Sequence, residues 1–141
     1  MPDQEAILKA LRRHLHSHPE IVFAYVHGSL VDGVPYNDVD VAVYVRPEWF
    51  SAHRSEILSH TLDLSTKLTI ALRQEIELNV PIDVQILNNA PLQFQLHVVR
   101  DGQLLFTRDD EMLVDFIERT ARRAMDMELL WKTYREALIE P

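Results

Sequence analysis

The residues best suited to chemistry lie in one stretch, GSLVDGVPYNDVDVAVYV, which runs from Gly28 to Val45. Two aspartates, Asp38 and Asp40, stand within it and are separated by one valine. Side chains two positions apart on a strand project from the same face, so these carboxylates should lie close together. Like charges in that position raise each other's energy unless a cation lies between them. The pair therefore predicts a metal site, although Asp residues at strand ends also form turns.

A third carboxylate, Asp83, is found in PIDVQIL (81–87) between Ile82 and Val84. Carboxylate oxygens suit Mg²⁺ or Mn²⁺, which take phosphate oxygens as further ligands. If the strand of Asp83 lies beside that of Asp40, three carboxylates around two cations could orient a triphosphate and activate an attacking hydroxyl. Asp83 alone could also be a capping or edge residue.

The pair Gly28 and Ser29 would supply the complementary half of such a site. Glycine permits close approach of the backbone, and serine offers a hydroxyl and an N–H to phosphate oxygens. If a short helix begins here, its positive first turn would favour the same phosphate. Gly33 would let the connection fold back toward Asp38. The combination predicts a site for a metal-bound triphosphate.

With these residues in place, GSLVDGVPYNDVDVAVYV resembles the signature of the nucleotidyltransferase superfamily typified by DNA polymerase beta. PIDVQIL resembles the strand that carries the superfamily's third acid. The resemblance implies that Gly28 and Ser29 bind phosphate. It implies that Asp38 and Asp40 are metal ligands. Asp83 would be the third metal ligand and would help to activate the acceptor hydroxyl.

The sequence departs from this signature in two places. Asn37 stands where the superfamily most often has Ser, and the loop between Ser29 and Asp38 is short. Neither departure removes a metal ligand, so we expect the site to be competent. The resemblance covers about residues 20 to 90 through its motifs and the whole chain through its length.

The small size resembles the minimal nucleotidyltransferases, in particular the MNT antitoxins encoded beside HEPN ribonuclease toxins. This resemblance implies a protein adenylyltransferase that moves AMP from ATP to a tyrosine of a partner HEPN toxin, with two Mg²⁺ ions or Mn²⁺. The chain would then be the antitoxin of a type VII-like toxin–antitoxin module and would form a hetero-oligomer. Two alternatives stay open: transfer to a small molecule such as an aminoglycoside, or an antitoxin that acts by binding alone. Enzymes of the first kind usually carry an additional helical domain, for which little of this chain is left.

The elements that must position these residues are predicted from hydrophobic periodicity. We expect one nucleotidyltransferase domain over 1–141, with a core at 20–108 and a C-terminal helix at 109–138. Its fold class is α/β (α+β), a small mixed sheet of about four strands covered by helices, as in polymerase beta-like nucleotidyltransferases. The predicted strands are 21–27, 38–45, 81–88 and 103–108. The predicted helices are 3–17 with Asp3 as N-cap, 90–102 and 111–138. The region 47–79 is too long for an average helix, so we expect two helices there or a break among Thr61–Thr66.

Composition excludes several classes of function. A net charge of −8 argues against direct nucleic-acid binding, which depends on basic residues that neutralise phosphates. The chain has no cysteine, so it forms neither disulfides nor thiolate zinc sites. No apolar run approaches the roughly 20 residues that span a bilayer, and the N-terminus does not resemble a signal peptide. We therefore expect a cytoplasmic protein.

Other candidates are weaker. His14 and His18 share a predicted helix face and could bind a metal, although a solvated helix end is the simpler interpretation. The basic residues Arg46, Lys67 and Arg73 could hold triphosphate or base, but long basic side chains on helices usually face solvent. Trp49 could stack on adenine or, as we expect, close over the core.

The last predicted helix carries Met and aromatic residues on more than one face. Two interpretations stay open for these residues. Either they form an interface with a partner, or the helix lies across the sheet and buries them.

Overall fold

The computed structural model describes residues 2–139. Its elements, in chain order, are α1 Gln4–His16, β1 Ile21–His27, α2 Ser29–Asp32, β2 Val39–Val45, α3 Pro47–Ala52, a 3₁₀ turn Arg54–Glu56, α4 Ile57–Ile76, β3 Ile82–Ile86, α5 Leu92–Asp101, β4 Gln103–Thr107 and α6 Asp110–Ile139. The predicted first strand is confirmed at both ends, and Asp3 caps α1 by accepting a hydrogen bond from the Ala6 N–H at 2.8 Å.

The four strands form one mixed sheet in the order β3-β2-β1-β4. Strand β1 is antiparallel to both of its neighbours, β2 and β4, whereas β2 and β3 are parallel. Parallel neighbours need a long crossover, and α3 with α4 provides it. The predicted fold class, a small mixed sheet covered by helices with a long C-terminal helix, is confirmed.

Both faces of β2 are covered. Val41 and Val43 pack with α1 and α4 on one face, whereas Ala42 and Tyr44 pack with α5 and α6 on the other. On this second face the rings of Tyr44 and Phe23 stack with centroids 4.9 Å apart. The middle of β2 therefore has no room for a charged side chain, and its first residues are where a carboxylate can meet solvent.

Two differences from the predicted boundaries concern the site and the helical crossover. Strand β2 begins at Val39, so Asp38 lies in the bend before it. The region 47–79 forms two helices, as one of the two alternatives predicted, but they are separated by the 3₁₀ turn after His53, and there is no break among Thr61–Thr66. His53 closes α3 by donating its backbone N–H to the Trp49 carbonyl at 3.0 Å, and its ring stacks on the Trp49 indole. The Thr61 and Thr66 hydroxyls donate to carbonyls within α4, so both residues stay helical.

The two halves of α6 have different surroundings. Leu113, Phe116 and Thr120 are buried against the sheet, and the residues after them leave the core. We call 121–139 the distal segment. Its exposed large apolar residues are Met125, Met127, Leu129, Leu130, Trp131, Tyr134, Leu138 and Ile139. The helix thus lies across the sheet over its first part alone.

Among residues 2–139, no helix is both long enough and apolar enough to cross a membrane.

Candidate active site

The three predicted acids gather at the end of the sheet where β2 and β3 begin. Asp40 is the second residue of β2, and its partner in the parallel register is Asp83 on β3. Asp38 is exposed in the bend just before β2. Burial raises the pKa of Asp40 above its ordinary value, and the nearby charge of Asp38 raises it further. The expectation that the strands of Asp40 and Asp83 are neighbours is confirmed, whereas Asp38 lies before β2 and not within it.

The Gly-Ser turn packs directly against the Asp40 carboxylate. Gly28 follows the last residue of β1 and has φ 83° and ψ −153°, a conformation essentially restricted to glycine. A Cβ atom at this position would lie 2.8 Å from Oδ2 of Asp40. Ser29 then begins the short helix α2, and Gly33 caps its C-terminal end in the left-handed conformation with φ 74°. The backbone turn and the carboxylate are thus in contact, as a shared site for metal and phosphate requires.

Replacing Gly28 by Ala should destabilise the fold by about 1–3 kcal/mol, the usual cost of this backbone conformation in a residue with a side chain. It should also disturb the Asp40 carboxylate, because the new methyl group overlaps Oδ2. Gly33→Ala is the matched control, since it has the same sign of φ and its new methyl group would have no neighbouring atom within 4 Å. Urea unfolding should show a lower free energy of unfolding in both variants, whereas Mn²⁺ binding should weaken in Gly28→Ala alone. Equal Mn²⁺ affinities in the two variants would contradict the proposed contact.

Two residues of the site were not predicted. Gln85, two positions after Asp83 on β3, donates from Nε2 to Oδ2 of Asp83 at 2.6 Å and to Oδ1 of Asp40 at 3.4 Å. His27, the last residue of β1, is buried, and its Nε2 lies 2.9 Å from Oε1 of Gln85. Strand alternation would have placed Gln85 on the face of Asp83, and His27 immediately precedes Gly28.

The residues present fit a divalent cation. Their donors are hard carboxylate oxygens, and the pKa of Asp40 is raised by burial and by the charges of Asp38 and Asp83. A bound cation would favour the ionised form of Asp40 and so lower its pKa. Within the part of the chain that the structure describes, no three His, Asp or Glu side chains form a ready metal cage. Mg²⁺ at nucleotide sites usually takes one or two protein carboxylates and completes its shell with phosphate and water, so a closed cage is not required.

The weaker candidates lie elsewhere or serve other contacts. Lys67 pairs with Asp63 at 2.9 Å on α4, which packs on the face of the sheet opposite to Asp40. Trp49 packs on the core and stacks on His53, with ring centroids 4.3 Å apart. His14 on α1 contacts Glu75 at 2.9 Å. These contacts agree with the structural interpretation of each residue.

Two further candidates each contact another residue of the N-terminal half. His18 contacts Glu20 at 3.5 Å, and Arg46 donates to the Pro19 carbonyl at 3.2 Å. Arg73 lies in the last turn of α4, beside Ile76 and Glu77.

Several solved structures have the same fold. A chain of the tri-AMPylated Shewanella oneidensis HEPN toxin in complex with MNT antitoxin aligns with a TM-score of 0.65 and 18% identity, over 97% of this chain and 99% of that one. A toxin–antitoxin structure with AMP-PNP aligns with a TM-score of 0.60 and 18% identity, over 99% of this chain and 100% of that one. The MntA–HepT toxin–antitoxin structure aligns with a TM-score of 0.58 and 18% identity, over 97% of each chain. At these identities the likeness establishes the fold.

Sequence comparison establishes the family. Among curated proteins, none is significantly similar to this chain. The family model described as "Polymerase beta, Nucleotidyltransferase" matches residues 9–111, which include the Gly-Ser turn and all three acids. This match covers well over half of the 141 residues. The chain therefore belongs to the polymerase beta nucleotidyltransferase family.

Proposed function

We propose that this nucleotidyltransferase transfers AMP from ATP to a tyrosine hydroxyl of a partner protein of the HEPN toxin type, in a Mg²⁺-dependent reaction, and thereby acts as its antitoxin. The observation that carries the proposal is the contact of the Gly28 turn with the Asp40 carboxylate, beside Asp83 in register on the next strand. That arrangement joins a phosphate-binding turn to a metal-binding pair.

Each site residue has a distinct role in this proposal. Asp38 and Asp40 would hold the metal, which when bound neutralises phosphate charge, and Ser29 with the backbone after Gly28 would bind the triphosphate. The acceptor oxygen attacks the α-phosphorus and forms a new P–O bond. The bond from the α-phosphorus to the bridging oxygen breaks, and pyrophosphate leaves. Asp83 would receive the acceptor's proton, because it borders the pair on β3 and is exposed.

The choice of AMP and of a protein acceptor is supported by the structural relatives. One is a complex of a tri-AMPylated HEPN toxin with its MNT antitoxin, and another is a toxin–antitoxin structure with AMP-PNP. This chain aligns with both over nearly the full length of each. A protein partner therefore suits this chain better than a small-molecule acceptor.

The test is incubation with α-labelled ATP, Mg²⁺ and the product of the neighbouring gene, which the proposal expects to be a HEPN-type protein. Label should move to a tyrosine of that protein, and EDTA should abolish transfer. Label transfer that survives Asp38→Ala or Asp40→Ala would refute the mechanism. Neutralisation of the toxin by those variants without label transfer would favour an antitoxin that acts by binding alone.

We further propose that the distal segment of α6 provides the surface for this partner. Ala124, Met127, Trp131, Tyr134 and Leu138 recur at spacings of three and four, so they form one helical stripe. The stripe continues the face that Leu113, Phe116 and Thr120 bury against the sheet. Because most helical stability in proteins comes from packing of an apolar face, contact of this stripe with the partner would stabilise the segment.

Replacing Trp131 by Ala should weaken association with the partner by about tenfold or more, since exposed Trp residues at the centre of an interface are frequent hot spots. The melting temperature of the isolated chain should change little, because Trp131 is 51% exposed. Isothermal titration calorimetry with the partner measures the effect. Leu58→Ala, an exposed apolar residue on α4, is the matched control and should bind normally. Equal affinity of the two variants would place the interface elsewhere.

A further inference from the structure

Gln85 is the polar residue that joins the two strands bearing Asp40 and Asp83. It follows Asp83 by two positions, so both side chains project from the same face of β3. Its register partner on β2 is Ala42, whose small side chain leaves space above it. From this position a single amide nitrogen reaches Oδ2 of Asp83 at 2.6 Å and Oδ1 of Asp40 at 3.4 Å. The shorter contact makes Asp83 the principal partner of Gln85.

The two carboxylates and His27 together fix the orientation of this amide. A carboxamide has a donor end and an acceptor end, and an acceptor turned toward two carboxylates would be repelled. His27 Nε2 lies 2.9 Å from Oε1 of Gln85 and holds the acceptor end away from them. An Nε2–H tautomer is the one that can donate here.

The imidazole of His27 is itself held in place. It is 5% exposed, and the rings of Phe94 and His97 on α5 meet it edge to face at centroid distances of 5.4 and 5.8 Å. A buried polar ring without a hydrogen-bond partner would destabilise the fold, so its contact with Gln85 satisfies it. Helix α5, β1 and β3 are thus connected to the carboxylates through one chain of contacts.

We propose that Gln85 is a positioning residue for Asp83 and that His27 positions Gln85 in turn. Gln85 holds one carboxylate oxygen of Asp83 and leaves the other for the metal or the acceptor. The pair His27 and Gln85 thereby organises the site before the nucleotide binds. The kinetic part of this inference rests on the proposed nucleotidyl transfer, whereas the part that concerns metal affinity does not.

The test compares four variants with two readouts. Gln85→Leu removes the donor, and Gln93→Leu, an exposed glutamine on α5, is its control. His27→Phe keeps a ring without a donor, whereas His27→Gln keeps a donor near the Nε2 position. The first readout is the affinity for Mn²⁺ in the presence of an ATP analogue with a methylene α,β-bridge, measured by electron paramagnetic resonance. The second is kcat and KM for ATP in the transfer reaction.

Gln85→Leu and His27→Phe should lower Mn²⁺ affinity and kcat by about 10- to 100-fold, as is usual when a partner of a metal-binding residue is removed. KM for ATP should change little, and His27→Gln should recover most of both losses. The proposal would be overturned if Gln85→Leu had the Mn²⁺ affinity and kcat of Gln93→Leu. It would also be overturned if His27→Gln lost as much Mn²⁺ affinity and kcat as His27→Phe. A wild-type chain that binds no Mn²⁺ would overturn it too. If the variants lose Mn²⁺ affinity as expected but the wild type transfers no label, the proposed function is refuted and the positioning role stays supported. Circular dichroism excludes variants that have unfolded.

Discussion

Replacing Asp40 by Asn is expected to reduce nucleotidyl transfer by at least about a thousandfold, which corresponds to about 4 kcal/mol of transition-state stabilisation. Asn keeps the size of the side chain and an oxygen that can accept from Gln85, so the contacts around it can persist. The lost charge is what binds a divalent cation beside Asp38. The same substitution should therefore abolish Mn²⁺ binding.

Without metal, Asp40→Asn should stabilise the fold, although it abolishes Mn²⁺ binding and lowers activity. The pKa of Asp40 is raised in the folded chain, first by burial and then by the charge of Asp38. A group of this kind binds more protons in the folded state, so its contribution to stability is greatest below its unfolded pKa and is lost as pH rises through the folded pKa. At neutral pH the ionised carboxylate is thus unfavourable to folding, and Asp40→Asn should raise the melting temperature in EDTA.

Differential scanning calorimetry between pH 3 and pH 8 measures this effect. The gap between Asp40→Asn and the wild type should open as pH rises and close in acid. Asp63→Asn is the matched control, because it makes the same chemical change on α4, where Asp63 pairs with Lys67. Saturating Mg²⁺ with an ATP analogue should stabilise the wild type and not Asp40→Asn. An Asp40→Asn chain less stable than the wild type at neutral pH would contradict the electrostatic argument.

Such a trade between stability and activity is typical of sites that gather like charges for a ligand. In this chain the fold places the carboxylates where β2 and β3 begin, since the interior of β2 is apolar on both faces. Gly28 then brings its backbone against Asp40 in a conformation that other residues avoid. The local arrangement is unfavourable without a cation, and the surrounding core stabilises it.

Much of this arrangement was accessible from the sequence because it is encoded by local patterns. The apolar run of 21–27 defined β1, and the two-residue spacing of Asp38 and Asp40 indicated neighbouring carboxylates. The pairing of Asp40 with Asp83 needed one further assumption, that their strands are neighbours, and the parallel register of β2 and β3 bears it out.

What escaped prediction depends on contacts between distant segments. His27 and Gln85 are 58 residues apart, and nothing in either local sequence indicates that their side chains meet. The position of the break at His53 was not predicted from the sequence: the His53 ring stacks on Trp49 there, whereas Thr61 and Thr66 satisfy their hydroxyls within the helix. The periodicity of the distal segment indicated a helix but left open whether its apolar residues are exposed.

Asp83→Asn is expected to lower kcat by about 10²- to 10⁴-fold, the usual contribution of a positioned general base. Binding of the methylene-bridged ATP analogue with Mn²⁺ should weaken by about 10- to 100-fold, as in Gln85→Leu, and should not be abolished, because Asp38 and Asp40 remain and such sites need one or two protein carboxylates. Calorimetric titration of the analogue, set against single-turnover transfer, separates the two effects. Asp40→Asn is the comparison, since it should lose both analogue binding and transfer. Loss of analogue binding in Asp83→Asn as severe as in Asp40→Asn would make Asp83 chiefly a metal ligand.

The same variant connects Asp83 to the residues that hold it. If Gln85 acts on transfer by orienting the Asp83 carboxylate, its removal matters only while that carboxylate is present. Gln85→Leu should therefore lower kcat in the wild type and have little further effect on kcat in an Asp83→Asn background, which is the non-additivity expected of residues that act as one unit. Fully additive losses in the double variant would mean that Gln85 acts through Asp40, its second partner at 3.4 Å.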